Sequence, residues 1–130
     1  RFISKFDLAI FMRGCSVKYG NILLGKRVKY CDNLFTRFRG LMFSRKKEGA
    51  ILEGLSESIV GSSIHMFFVF YPLDIFWLDK NYRVVDIKRA VKPFTLFHKP
   101  EKKAKYILEL PVGKGDRVHV GGILKFGRIR

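Results

Sequence analysis

His65 and Asp74 stand nine positions apart in IHMFFVFYPLDIFWLD, residues 64–79, where thirteen of sixteen residues are aromatic, aliphatic, Met or Pro. An imidazole and a carboxylate are the side chains that general acid–base catalysis uses. Ser62 and Ser63 lie just upstream, so the residue types of a nucleophile relay are present. Their arrangement matches no nucleophile elbow, and no residue is assigned a catalytic role. His98 and His119 have no i, i+4 or Cys-linked spacing, so neither a metal set nor a cofactor is expected.

The run reads as two strands about Pro72. Ile64, Met66, Phe68 and Phe70 then share one face, and His65, Phe67 and Val69 the other. Past the proline, Asp74 shares a face with Phe76 and Leu78, while Leu73, Ile75 and Trp77 take the opposite one. Both faces are apolar, so burial on both sides is expected. A lone ionised carboxylate is strongly unfavourable there. Three roles fit Asp74: an acceptor of backbone N–H groups at a strand corner, a polar handle in a ligand pocket, or a catalytic acid or base. If Tyr71-Pro72 closed a two-residue hairpin, Asp74 would stand about 13 Å from His65, at ~3.3 Å per residue. A His–Asp dyad therefore needs another topology, for instance Pro72 turning the chain at a barrel corner. HMFFVFY lacks the basic residue and glycines of an RNA-recognition strand.

Charge is the unusual feature of the whole chain. Its 130 residues hold 26 Lys and Arg against 11 Asp and Glu, a formal net charge of +15. Such a surface attracts nucleic acid, anionic lipid or acidic proteins, and a general surface adaptation produces the same number. None of the 26 falls in residues 49–79, which hold Glu53, Glu57, Asp74 and Asp79. The candidates for phosphate contacts are Arg37, Arg45, Lys46, Lys47, Lys102, Lys103 and Lys105. Cys15 and Cys31 make no disulfide framework, and both thiols are expected to be reduced. No apolar stretch reaches the ~18 residues of a spanning helix. The start, RFISKFDLAIFMR, does not begin with Met and is too broken by charge for a secretory core. The default expectation is a cytoplasmic monomer, with an exported or anchored form if the native N-terminus is longer.

The length suits one domain, and 48% hydrophobic residues with 13 Phe lean toward β structure. Residues 1–17 form an N-terminal extension, helical or extended, and residues 18–130 a single β-rich domain. Strands are expected at Ser16–Tyr19 and Gly25–Tyr30 around a turn at Gly20-Asn21. A helix is expected from Asp32 or Asn33 to near Ser44, with Leu34, Phe38, Leu41 and Met42 on one face. Residues 50–61 fit a helix or a loop. Ile75–Leu78 and Arg83–Lys88 form a hairpin across DKNY, with Asn81 left-handed. YILELP is a further strand, and the Gly-rich tail supplies closing strands. The fold class is α+β, mainly antiparallel β: a compact β-sandwich or barrel-like domain with one or two short helices.

FTRFRGLMF, IHMFFVFYPLDIFWLD, VVDI, Pro93 and ILELPVG follow one another in this order. In that order they resemble the family called domain of unknown function 192, over about residues 18 to 126. Most specific are RGLM (Arg39 to Met42), PLDIFWLD (Pro72 to Asp79) and LELPVG (Leu108 to Gly113) taken together. The resemblance implies a small β-rich sandwich or barrel with a short helix at RGLM, and importance for Arg39 and Asp74. Many family members carry an N-terminal export or anchoring segment, which this chain does not show. Members usually carry a Gly-Asp pair before the last strand, where this chain has Gly121-Gly122. No activity comes with the resemblance.

The leading functional expectation is a non-catalytic small-ligand or partner-binding module, with a site around His65, Asp74 and Trp77 and Arg39 supplying charge. A basic nucleic-acid-binding protein is the first alternative, and an enzyme using Asp74 as acid or base the second.

Overall fold

The computed structural model describes residues 14–31, 49–66 and 68–128. Among the described residues seven strands are formed: β1 Cys15–Tyr19, β2 Ile22–Cys31, β3 Ala50–Ser58, β4 Leu73–Leu78, β5 Val84–Val91, β6 Ala104–Pro111 and β7 Lys125–Arg128. They make one sheet in the order β5-β4-β6-β3-β2-β1-β7. Every pairing is antiparallel except β2 with β3.

β2 is the hinge of the sheet. Its first part pairs with β1, and Lys29–Cys31 pair with β3. The sheet curls into a half-barrel whose two edges meet near Val84. There Arg83 bridges Ile123, the Val84 N–H donates to the Gly122 carbonyl at 2.8 Å, and the Leu124 N–H donates to the Tyr82 carbonyl at 3.0 Å. Bulges in β1–β2 and β4–β5 add the local twist that such curling needs.

Two cores follow from the two faces. Inside the curl lie Val17, Leu24, Ile51, Phe76, Leu108 and Phe126 among others. The outer face of β4, β6 and β3 carries Leu73, Ile75, Trp77, Ile107 and Leu52, and is covered by Ile64, Met66, Val69 and Tyr71. The Trp77 indole N–H donates to the Ser62 carbonyl at 2.8 Å and ties the cover down. Fully burying one such side chain contributes roughly 1.5–3 kcal/mol. All six residues of β4 are buried, so the apolar run needed no polar face.

Several expectations change. Of the two expected architectures, sandwich or barrel-like, the curled half-barrel sheet is the barrel-like one. Residues 50–58 are a strand, because Ala50, Ile51 and Leu52 are buried between β2 and β6 rather than on one side of a helix. Among the described residues the only helical turn is the 3-10 turn Val60–Ser62, so the expected short helices have no counterpart there. The helix expected at residues 32–44 and residues 1–13 of the expected extension 1–17 lie outside the described residues, while Cys15, Ser16 and Val17 of that extension fall in β1. Residues 64–66 and 68–70 are not in a strand: Ile64 makes one bridge to His98, and Phe68 turns left-handed at φ 52°. In the β4–β5 turn Tyr82, not Asn81, is left-handed, at φ 65°. Asp79 closes that turn by accepting the N–H groups of Asn81 and Arg83 at 2.8 and 3.0 Å.

Gly115 packs against the tip of the Phe76 ring, where an added Cβ would stand 2.5 Å from Phe76 Cζ. Gly115→Ala is expected to cost about 1–3 kcal/mol by overpacking. Urea melts measure this, and an unchanged midpoint would contradict the packing.

Candidate functional site

Asp74 sits where the β4–β5 ladder slips. Leu73 pairs with Val91 and Ile75 with Lys88, so Arg89 and Ala90 stand opposite Asp74 alone. Ala90 is left-handed, at φ 51°. Its N–H donates to Asp74 Oδ1 at 2.8 Å, so the carboxylate replaces the ladder partner removed by the bulge. Asp74 is 1% exposed, and Arg89 Nη1 stands 3.7 Å from Oδ2, an ion pair without a hydrogen bond.

Arg89 carries this arrangement to the next loop. Its guanidinium lies 5.5 Å from the Phe76 ring centre and donates to the carbonyls of Gly115 and Val118 at 3.0 and 2.7 Å. The turn after β6 is thereby pinned at its far end. Its near end is held by the Lys114 N–H, which donates to the Pro111 carbonyl at 3.2 Å.

Lys114 borders a cleft of about 300 Å³ lined also by residues 23–28, Gly49, Leu110 and Pro111. That is the small end of the size range of ligand sites, roughly 300–1,000 Å³. Lys26, Arg27 and Lys114 are its charged lining residues, and no carboxylate side chain joins them among the described residues. The β1–β2 bulge explains the first two. Cys15 pairs with Val28 and Val17 with Gly25, so Lys26 and Arg27 fall in the slip and both are exposed. A regular strand would send neighbours to opposite faces. At the cleft wall Gly49 has no room for a side chain, since a Cβ would lie 2.8 Å from the Glu109 carbonyl oxygen.

Glu109 was missed by sequence reasoning. It is 4% exposed on the outer face of β6, paired with Ala50 and Ile75. Burial pushes its carboxyl up to about 8, partly countered by the nearby charge of Lys29. The available signal was a glutamate in mid-strand with apolar neighbours on both sides.

The anticipated site residues do not gather at one place. Asp74 faces the inner core with Phe76, whereas Trp77 is fully buried in the outer one. His65 is half-buried in the covering segment, and Arg39 lies outside the described residues. Of the basic candidates, Lys102 and Lys103 are exposed, while Lys105 lies 4.0 Å from Glu53 and 5.6 Å from the Tyr106 ring centre. Arg37, Arg45, Lys46 and Lys47 lie outside the described residues. Cys15 and Cys31 are free thiols buried in different cores. Gly121 is left-handed at φ 98°, and a Cβ on Gly122 would meet Tyr19 Cε1 at 2.7 Å, so the glycine pair fits a tight turn.

Two outcomes follow. Asp74→Ala is expected to cost about 1–3 kcal/mol, by stranding the Ala90 N–H and the Arg89 charge. Asp74→Asn should cost less, because an amide oxygen still accepts the Ala90 N–H; equal urea midpoints for the two variants would contradict this. For Glu109 the folded value lies above the ordinary 4.5, so the folded chain binds more protons between pH about 4.5 and about 8. Stability therefore falls as pH rises through that window. Glu109→Gln should flatten the fall, its midpoint gaining on wild type toward pH about 8; parallel pH profiles would rule out a buried titrating Glu109.

The comparisons with known proteins agree with this architecture. A UPF0127 protein of Thermococcus sibiricus is 47% identical over 91 residues, which cover 69% of this chain and 58% of that one. The chain thus spans little more than half the length of that relative. A UPF0127 protein of Pyrococcus furiosus is 34% identical over 115 residues, covering 84% of this chain and 97% of the relative. The crystal structure of a protein of unknown function from Novosphingobium aromaticivorans superposes with a TM-score of 0.73 at 20% identity, over 86% of this chain and 83% of that one. At that identity the likeness concerns the fold alone. Residues 18–123 match the DUF192 family, described as Uncharacterized ACR, and the chain belongs to that family.

Proposed function

We propose that the chain is a non-catalytic binding module that holds a small anionic ligand with an apolar body in the cleft of Lys26, Arg27 and Lys114. The observation that carries this is the lining itself. Three cations border a floor of Leu24, Leu110 and Pro111, with no carboxylate among the described lining residues. Cations set at the rim of low-dielectric walls attract and orient an anion, and the apolar floor suits an alkyl or aryl group. Asp74 and Arg89 serve this site from behind, by fixing the turn that carries Lys114. Asp74 is a positioning residue in this reading, not an acid or base.

Hexyl phosphate is a suitable probe, followed by amide chemical shifts. Shifts are expected at Gly25, Gly49 and Lys114, with binding at least tenfold weaker in the Lys26→Ala/Arg27→Ala/Lys114→Ala variant. The control is Lys102→Ala/Lys103→Ala, at the far end of β6, about 25 Å away at ~3.3 Å per residue. It should bind as wild type does. Equal losses in both variants would mean diffuse charge attraction, and absent shifts would remove the site.

A further inference from the structure

The cover of the outer core has a second side. Residues 64–66 and 94–98 are laced together: the Phe94 N–H donates to the Met66 carbonyl and the Met66 N–H to the Thr95 carbonyl, both at 2.7 Å, while Ile64 and His98 exchange bonds at 2.8 and 3.0 Å. Ile64, Met66 and Val69 point into the core. Phe68, Phe70, Phe94, Leu96 and Phe97 are instead exposed, Phe97 at 82%. Phe94 gathers its neighbours, with Phe68 edge-on at 6.1 Å and Phe70 tilted at 5.7 Å between ring centres.

At 82% exposure the Phe97 ring contributes little to the fold by burial. Phe68, Phe94 and Phe97 adopt φ of 52°, 62° and 58°, a region costly for bulky L side chains. Strain that holds rings in water is a property of a surface that meets something apolar. The segment itself is cationic. Lys92 and Lys99 are exposed at the two ends of the segment, and no Asp or Glu occurs from Ile87 to Pro100.

We propose that this aromatic tip docks on an anionic lipid surface. Phe94, Leu96 and Phe97 enter the headgroup–acyl boundary, and Lys92 and Lys99 meet the lipid phosphates at its rim. A lipid surface fits better than a single nucleic-acid strand for two reasons. The Phe68, Phe70 and Phe94 rings pack on one another rather than standing as separate platforms for bases. Leu96 has no π-face to offer a base.

Sedimentation with vesicles tests this, using phosphatidylcholine alone and phosphatidylcholine mixed with phosphatidylserine. Wild type should sediment with the mixed vesicles and not with the neutral ones. Phe94→Asn/Phe97→Asn should partition at least tenfold less, with urea midpoint retained because Asn accepts left-handed backbone. Phe94→Leu/Phe97→Leu should keep binding. The proposal is overturned if wild type ignores the mixed vesicles, if the Asn variant sediments as wild type does, or if the Asn pair instead abolishes binding to a single-stranded oligonucleotide while vesicles go unbound.

Discussion

The hydrogen bond from the Ala90 N–H to the buried Asp74 carboxylate is the contact on which the rest of this structure leans. It lets β5 slip by one residue against β4 without leaving a buried donor unpaired. The slip puts Arg89 beside Asp74, over Phe76, within reach of two carbonyls in the turn after β6. A carboxylate buried at 1% exposure thus orders a loop at the surface, and that loop carries Lys114 to the cleft. Remove the carboxylate, and an arginine loses its counter-charge in the same place where a backbone group loses its acceptor.

Among the described residues the half-barrel holds three buried carboxylates, one each on β3, β4 and β6, each accommodated differently. Asp74 accepts a backbone N–H and faces an arginine. Glu53, opposite Tyr106 in the ladder, lies 4.0 Å from the Lys105 ammonium. Glu109 keeps its proton to a higher pH because burial disfavours the ion. The cleft lies at the margin of the inner core, where two strands and the chain before β3 come together. Its basic lining comes from a bulge in β2 and from the turn after β6, so backbone irregularities rather than regular strands present the charges.

Much of the fold was legible because strand alternation and turn residues are local signals. Gly20-Asn21 and YILELP fell where expected, as did the pairing of Ile75–Leu78 with the strand after DKNY. The family was legible as well, from RGLM, PLDIFWLD and LELPVG taken together. The segment from Ile64 to Phe70 misled because a continuous apolar run reports burial and not conformation; Ile64, Met66 and Val69 cover a core while Phe68 and Phe70 face solvent. Asp74 was legible as a buried acceptor, but Arg89 was not foreseen as its partner, since a bulge leaves no mark in residue type. The cleft was invisible for the same reason. Lys26 and Arg27 are neighbours, but Lys114 is far from them in sequence, among 26 basic residues that look alike until the chain folds.

Amide hydrogen exchange in Arg89→Ala tests the link between the buried carboxylate and the cleft most directly. The N–H groups of Lys114 and Val118, bonded to the carbonyls of Pro111 and Gly115, report the order of the turn. Their exchange should speed at least tenfold in the variant, while amides of the β1–β2 hairpin keep their wild-type rates. Unchanged protection at Lys114 and Val118 would contradict the dependence of the cleft on Asp74 and Arg89.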